Sequence, residues 1–403
     1  MKRLVIMLAV VFAVALAIRL IALAVLLPNL KPDVDLDYYR SLARSLAAGK
    51  GFVALAPTGQ VLPNLARTPV YPLFLAAAMK IGGDRLGLFL VIQCGLGALT
   101  CVLTVLIARR WLSLVTSVAA GLLIAVDPNS VVRCVDLRTD TLFTLLVVLF
   151  VLLVNRRESW SWLLAGFICS LGVLCRPIAT WVWLVVIGVG LVERVRLVNL
   201  GLFLAAFFPL LTLWAARNAA ITGRWFVSTS PQVNFAQSWL VGVEEQLSGL
   251  SASAADEKVR REYGSVEFFE GRYKFERSLS AIHNRGLELF RTKPLLMLKE
   301  AAIGCGGVIL GPGARGLENS FIRPERTARW WPPLYVIGMM VWTALAVWGA
   351  FRLGRRTVLL SSLCLYFVLL VGGPGGGSRF RLPITPMLAI LAVAAVPRQR
   401  EPT

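Results

Sequence analysis

Long runs of apolar residues alternate with short polar segments along most of the chain. A helix needs about 20 largely apolar residues to cross the hydrocarbon core of a bilayer. The first run is longer than the apolar region of a signal peptide, so we expect a retained anchor. The pattern predicts an all-α integral membrane protein with about ten transmembrane helices. The candidate spans are 4–27, 86–108, 112–126, 139–154, 160–174, 178–192, 198–216, 334–351, 357–371 and 382–396.

Arginine and lysine recur in every second connection between these spans. Such residues mark the cytoplasmic side of a multi-pass protein, so the pattern places both ends of the chain in the cytoplasm. The cytoplasmic positions are Lys2, Arg3, Arg109, Arg110, Arg156, Arg157, Arg194, Arg196, Arg352, Arg355, Arg356, Arg398 and Arg400.

This topology divides the chain into three regions. Residues 1–216 form an N-terminal transmembrane module whose first outer loop covers 28–85, and residues 333–403 form the C-terminal transmembrane helices. Residues 217–332 between them form a mainly helical extracytoplasmic or interfacial region, with helices expected over 256–291 and 294–310. The cytoplasmic loops are too short to build a nucleotide site, and the chain has no Walker or dinucleotide glycine motif. We therefore expect any chemistry at the outer face.

The composition excludes an ordinary soluble enzyme. Of the 403 residues, 57% are hydrophobic and only 16% are charged, whereas soluble domains have about one quarter charged residues. The formal net charge is +20, which in a soluble protein would suggest a nucleic-acid partner. Here the cytoplasmic loops, with 13 basic and 3 acidic residues, account for half of that excess. The other half lies on the outer side or in the first span, where the positive-inside rule would not have placed it.

Three carboxylates follow the first predicted span. Asp33, Asp35 and Asp37 alternate along the sequence, so an extended segment would point all three to one side. Carboxylates this close raise one another's proton affinity, which suits a general base. The alternative is a solvated acidic turn at the membrane surface.

The rest of the first outer loop has two further features. Apolar positions at helical spacing follow Tyr39, and Gly49 suits the end of that helix. Arg67 then stands directly before a short apolar helix that begins with Pro69 and contains Tyr71. The loop therefore predicts an amphipathic helix at the membrane surface and a second helix that re-enters the membrane.

Taken together, these residues form a recognisable motif: Asp35, Tyr39, Ala43, Leu46, Gly49, Gly51, Phe52 and the run Arg67-Thr68-Pro69-Val70-Tyr71-Pro72. The motif resembles the first outer loop of the GT-C superfamily of polytopic glycosyltransferases, in the branch of the protein mannosyltransferases, the aminoarabinose transferases of lipid A and the Rgt-type sugar transferases. Shorter matches follow in the family's order. They are Thr139-Asp140, Arg176-Pro177, Arg217-Asn218 and Arg379-Phe380-Arg381.

The resemblance implies sugar transfer from a polyprenyl-phosphate-sugar donor to an acceptor hydroxyl, usually with inversion. Asp35 corresponds to the family's catalytic base, although the sequence Asp35-Leu36-Asp37 leaves Asp37 open as the alternative. Arginine binds phosphate well because its planar group can bond two oxygens at once, although each arginine here could equally be an interface anchor. The predicted donor phosphate-binding residues are Arg67, Arg176, Arg217, Arg379 and Arg381, and the further substrate-site candidates are Tyr39, Tyr71, Asp136 and Asp140.

The resemblance leaves the cofactor, the acceptor and the rival functions open. Metal dependence varies across the superfamily, and Asp35, Asp37, Asp136 and Asp140 are candidate ligands for a divalent metal ion. The expected partners are the lipid-linked donor, a glycan, lipid or protein acceptor, and membrane lipids. The expected location is the bacterial inner membrane, with the site facing the periplasm or exterior. The rival from another class is a transporter or flippase, but the chain shows no matched internal repeats of broken spans.

Overall fold

The chain is built from helices, as its apolar runs predict. A computed structural model describes residues 2–29, 34–56, 59–156, 158–311, 331–373 and 376–396. Short 3-10 segments join some helices, and a π-helical stretch covers Phe235–Leu240. The α-helices are α1 (Lys2–Leu26), α2 (Val34–Ala47), α3 (Val70–Gly82), α4 (Leu86–Ala108), α5 (Leu114–Val126), α6 (Pro128–Val135), α7 (Asp140–Val154), α8 (Ser159–Cys175), α9 (Val182–Val192), α10 (Leu197–Thr222), α11 (Ser230–Asn234), α12 (Val241–Ser248), α13 (Ala252–Tyr263), α14 (Arg272–Thr292), α15 (Pro294–Leu310), α16 (Trp331–Leu353), α17 (Val358–Val371) and α18 (Thr385–Ala394).

Fewer of the described helices are long enough to cross a membrane than the sequence predicts. Each of the ten predicted spans is helical, but within the described residues only α1, α4, α10 and the stretch Pro333–Val371 are long and apolar enough to cross a membrane. The pair α5 and α6, bent by 53° at its junction, would make a fifth crossing. These helices make the chain an integral membrane protein, and the figure of ten spans stays a prediction.

The junction between α5 and α6 has a local cause. Pro128 opens α6, and a proline disfavours helical backbone in the residue before it. Asp127 is accordingly extended, and its carboxylate accepts a hydrogen bond from the backbone N–H of Ser130 at 2.9 Å. This N-cap fixes the start of α6, the helix that carries Arg133 toward the candidate site.

The first outer loop contains both predicted helices and one element that the sequence did not predict. Helix α2 ends before Gly49, whose φ is +70°, and α3 covers the predicted re-entering segment. Between them, β1 (Val53–Leu55) pairs with β2 (Val61–Pro63) as an antiparallel hairpin. The all-α prediction is therefore wrong in this short stretch, although helices dominate the described residues.

The region after α10 forms a small helical subdomain with its own apolar core. The single charged helix expected over 256–291 is wrong, because the chain breaks between α13 and α14. Gly264 and Gly271 have φ values of +68° and +119° there, and such values suit glycine. Helix α15 begins at Pro294 as predicted. Helix α10 ends at Thr222, beyond the predicted module boundary at 216, which stays a prediction.

The break between α13 and α14 attaches this subdomain to the first outer loop. Asn64 pairs with Phe268 in an antiparallel bridge. The N–H of Leu65 donates to the carbonyl of Glu267 at 2.9 Å, and the N–H of Phe269 donates to Pro63 at 3.1 Å. These backbone bonds bring Glu267 to the residues around Arg67.

Glycines bring α15 against the connection between α17 and α18. A Cβ atom at Gly304 would lie only 2.0 Å from the backbone nitrogen of Gly373, and one at Gly307 would lie 2.6 Å from the carbonyl oxygen of Gly376. This connection leads directly into the 3-10 segment Ser378–Ile384, which carries Arg379 and Arg381. The close contact therefore fixes the segment that presents both arginines.

Candidate functional site

The centre of the candidate site is a buried carboxylate held by two arginines. Asp140 opens α7, and its side chain is 0% exposed. Arg176, in the turn after α8, pairs with its Oδ1, and the Nε of Arg379 lies 2.8 Å from its Oδ2. A helix N-terminus also favours a carboxylate. Arg176 stacks on the ring of Phe380 at 4.8 Å. The structure thus brings together three predicted site residues from distant parts of the sequence.

A second carboxylate with two arginines lies beside the first. Asp136 accepts hydrogen bonds from Nη1 of Arg133 at 2.8 Å and from Nε of Arg138 at 3.0 Å. Arg133 is 6% exposed and lies within electrostatic range of Asp140 and Arg379. Asp136 is one of the predicted substrate-site candidates, whereas neither of its arginines was predicted. Arg133 lies three residues before Asp136 and Arg138 two residues after it, and this spacing in the sequence could have indicated the two ion pairs.

Two predicted tyrosines connect this cluster to the first outer loop. The hydroxyl of Tyr71 donates to the side-chain oxygen of Gln93 at 2.7 Å. The amide nitrogen of Gln93 in turn donates to the backbone carbonyl of Asp136 at 3.0 Å. The rings of Tyr39 and Tyr71 meet edge to face at 5.1 Å. Tyr39 and Tyr71 therefore lie next to the acidic and basic cluster, and their role as substrate-site residues stays a prediction.

Arg67 lies on the other side of Tyr39. Its guanidinium group is 5.3 Å from the centre of the Tyr39 ring and 5.2 Å from that of Tyr38. Its Nη2 is 3.8 Å from the carboxylate of Glu267. Burial raises the pKa of the Tyr38 hydroxyl well above its ordinary value. Neither Tyr38 nor Glu267 was predicted from the sequence.

The other two predicted phosphate-binding arginines bind backbone carbonyl groups. Arg217 donates to the carbonyls of Asn64 at 3.0 Å and Phe52 at 3.2 Å, which ties α10 to the first outer loop. Arg381 is 1% exposed and donates to the carbonyls of Val308 at 3.1 Å and Ile309 at 2.7 Å. Carbonyls at a helix C-terminus attract cations. Both arginines therefore stabilise the backbone around the site.

The candidate base lies at the start of α2. Because α2 begins at Val34, the chain is helical through Asp35 and Asp37, and the extended arrangement predicted for them is wrong. The side chains of both residues lie outside the described part of the chain, as does the whole of Asp33. Both positions lie in the same helix as Tyr38 and Tyr39, whose rings contact Arg67.

An apolar cavity lies along the helix that Asp140 opens. It is small, with a volume of about 10 Å³, and lies between α7, α8, α9 and α17. Phe143, Val147 and Phe150 line it along α7, and Cys169 and Phe367 face them. Phe143 is one helical turn from Asp140. The arginine-rich cluster and the apolar cavity are therefore consecutive along one helix.

The described acidic residues do not fit a metal site. Asp136 and Asp140 are each paired with two guanidinium groups, whereas a divalent cation needs oxygen ligands with spare negative charge. Within the described ranges, no three His, Cys, Asp or Glu side chains come together as candidate ligands. This donor set suits an anion held between arginines.

The chain matches known proteins in sequence and in fold. Residues 66–217 match the family described as dolichyl-phosphate-mannose-protein mannosyltransferase. This segment begins next to Arg67 and includes Asp136, Asp140 and Arg176. No curated protein sequence matches the chain.

Two solved proteins are similar in structure. One is the archaeal oligosaccharyltransferase AglB from Archaeoglobus fulgidus, in complex with an inhibitory peptide and a dolichol-phosphate. It has a TM-score of 0.55 and 16% identity, over 96% of this chain and 50% of that one. The other is ArnT from Cupriavidus metallidurans bound to undecaprenyl phosphate, with a TM-score of 0.44 and 13% identity, over 96% and 77%. The chain thus spans about half the length of AglB. The sequence match and the AglB fold together confirm the predicted resemblance to the GT-C superfamily.

Proposed function

We propose that this chain, whose fold is that of the GT-C glycosyltransferases, transfers a sugar from a polyprenyl-phosphate-sugar donor to an acceptor hydroxyl. The observation that carries the proposal is the Asp140 cluster, in which Arg176 and Arg379 are held at the start of the apolar helix α7. A ligand that suits arginines at the end of an apolar helix has an anionic head and an apolar tail. AglB is described in complex with a dolichol-phosphate, a ligand of this kind.

Arg176 and Arg379 are the proposed ligands of the donor phosphate. Asp140 holds both guanidinium groups in place before any ligand arrives, so little reorganisation accompanies phosphate binding. When the sugar leaves, the phosphate gains negative charge, and fixed arginines stabilise that charge in the transition state. Arg67 is the third proposed ligand. Its guanidinium group contacts the ring of Tyr39, and Tyr39 in turn lies within electrostatic range of Arg176.

Asp35 is the proposed general base, with Asp37 as the alternative. The oxygen of the acceptor hydroxyl attacks the anomeric carbon, the bond from that carbon to the phosphate oxygen breaks, and the hydroxyl proton goes to the Asp35 carboxylate. Attack opposite the departing phosphate inverts the anomeric configuration. A polyprenyl phosphate and a glycosylated acceptor are the products. This assignment rests on the family motif and on the position of Tyr38 and Tyr39, in the same helix, against Arg67.

We also propose that the reaction takes place at the outer face of a bacterial inner membrane. The cytoplasmic connections predicted from the positive-inside pattern are too short to hold the chemistry. The acceptor is a glycan, lipid or protein, and the subdomain after α10 is the proposed place of acceptor recognition.

The proposed donor site is tested by lipid phosphate binding. Charge-assisted hydrogen bonds contribute about 1.5–3 kcal/mol each, so Arg379→Gln is expected to weaken undecaprenyl phosphate binding by about tenfold or more. Arg356→Gln is the matched control. Arg356 is exposed and precedes α17, whereas Arg379 follows it, so this variant should bind like the wild type. Titration of the purified protein in detergent, followed by tryptophan fluorescence, gives both affinities. Equal affinity in the two variants would overturn the proposed site.

A further inference from the structure

The ion pairs around the site differ in their distances and in their exposure. Asp140 is 0% exposed and has two arginine partners, and Asp136 is 5% exposed with two of its own. The pair of Arg67 and Glu267 is different. Its nitrogen and oxygen are 3.8 Å apart, and the two side chains are 28% and 20% exposed. That distance exceeds the range of a hydrogen bond, so this ion pair is loose and open to solvent.

The surroundings of Arg67 suit the exchange of one anion for another. The rings of Tyr38 and Tyr39 contact the faces of its guanidinium group at 5.2 and 5.3 Å. Ring contacts use the faces, whereas anions bind the N–H edge. The backbone N–H of Arg67 donates to Asn64 Oδ1 at 2.7 Å, which fixes the loop. The guanidinium group can therefore change its anionic partner without moving its backbone.

Glu267 is held in place independently of Arg67. Its backbone carbonyl accepts the N–H of Leu65 at 2.9 Å, within the strand-like contact between the subdomain and the first outer loop. The Tyr38 hydroxyl lies beside its carboxylate, and burial raises the pKa of that hydroxyl, so it keeps its proton and can donate. A carboxylate that loses Arg67 thus keeps a hydrogen-bonding partner.

We propose that Glu267 is an exchangeable counter-ion of Arg67, which the phosphate of the lipid-linked donor displaces when it binds. The inference rests on the proposed function, because it requires a lipid phosphate at Arg67. It assigns Glu267 a role in specificity. An anion that binds Arg67 more weakly than this carboxylate does not enter, and a phosphate does.

The direction of the effect on affinity follows from competition. Glu267→Gln keeps the shape of the side chain and removes the competing charge, so undecaprenyl phosphate should bind more tightly. Exposed ion pairs are weak, so the expected gain is about twofold to fivefold. Arg67→Gln should weaken binding, and adding Glu267→Gln to it should then change nothing, because no cation is left to compete for. A merely structural role for Glu267 would weaken binding in both backgrounds.

The experiment is a set of titrations of undecaprenyl phosphate into the purified full-length protein in detergent. The variants are Glu267→Gln, Arg67→Gln, the double variant, and Glu276→Gln as a control. Glu276 pairs with Arg224 in the same subdomain, at 2.5 Å and 30% exposure, and its variant should bind like the wild type. Thermal unfolding of each variant shows whether it is folded. Glu267→Asp, which keeps the charge on a shorter side chain, should lie between wild type and Glu267→Gln.

The outcomes separate this inference from the proposed function. Tighter binding by Glu267→Gln, lost in the double variant, supports the exchange. If the wild type binds and Arg379→Gln does not, while Glu267→Gln binds no more tightly than the wild type, the exchange is overturned and the donor site stands. If the wild type does not bind undecaprenyl phosphate, both fail.

Discussion

Arginine side chains that are alike in sequence have different partners in the fold. Arg176 and Arg379 are paired with a buried carboxylate, whereas Arg217 and Arg381 are bound by backbone carbonyls. The sequence predicts all of them equally, because each lies near a predicted outer end of a span. Their partners come from distant segments, and a single sequence without structure does not pair them. Arg133 was missed although its partner Asp136 is only three residues away.

Asp84 is a residue whose ionisation should be measurable in the stability of the first outer loop. Arg40 and Arg44 of α2 donate to its carboxylate at 2.9 and 2.6 Å. Burial acts to raise the pKa of Asp84, but these bonds outweigh it and hold the pKa below its ordinary value of 3.8. A depressed pKa stabilises the fold above that value, and the stabilisation is lost as the pH falls through the folded-state pKa.

Asp84→Asn should therefore lower the free energy of unfolding at pH 7 by about 0.5–1 kcal/mol, as expected for exposed pairs. The difference from the wild type should shrink as the pH falls below about 4. Thermal unfolding in detergent at both pH values measures it. Asp256→Asn is the control, because Asp256 pairs with Arg260 one helical turn away and both side chains are exposed. An equal loss for Asp84→Asn at both pH values would contradict the assignment.

Helices were the most predictable elements, because the length and the apolar character of each run are visible in the sequence itself. The helices in the predicted spans and α15 were located from sequence for this reason. The hairpin of β1 and β2 has strands of three residues each, too short for an alternating pattern to be visible. The break between α13 and α14 depends on Gly264 and Gly271, which a charged helical pattern conceals.

The close packing of α15 can be tested by replacing glycines of this helix with alanine. A Cβ atom at Gly304 would meet the backbone of Gly373, so Gly304→Ala should lower the free energy of unfolding by about 1–3 kcal/mol. Gly306 in the same helix has open space around it, and Gly306→Ala should raise stability by up to about 1 kcal/mol, because alanine favours helix. Thermal unfolding of the two variants measures the contrast. Equal stability of the two variants would contradict the packing of α15 on this connection.

At the scale of the whole molecule, the candidate site is assembled from four separate segments. Asp140 and Asp136 lie around the start of α7, Arg176 follows α8, and Arg379 precedes α18, while Arg67 reaches the site from the first outer loop. The family motif predicted most of these positions. The pairing of Glu267 with Arg67 required the fold, because the subdomain reaches the loop only through tertiary backbone contacts.

We propose that the chain transfers a sugar from a polyprenyl-phosphate-sugar donor, with Asp35 at the start of α2 as the base. The most direct measurement is the transfer of radiolabelled sugar from a panel of polyprenyl-phosphate-sugars in membranes that contain the wild type, Asp35→Asn or Asp37→Asn. General base catalysis contributes about 10²–10⁴-fold. We predict transfer from at least one donor by the wild type, a loss of about hundredfold or more in Asp35→Asn, and unchanged binding of undecaprenyl phosphate. Full activity of Asp35→Asn would contradict the assignment of the base, and no transfer by the wild type from any donor would contradict the proposed function.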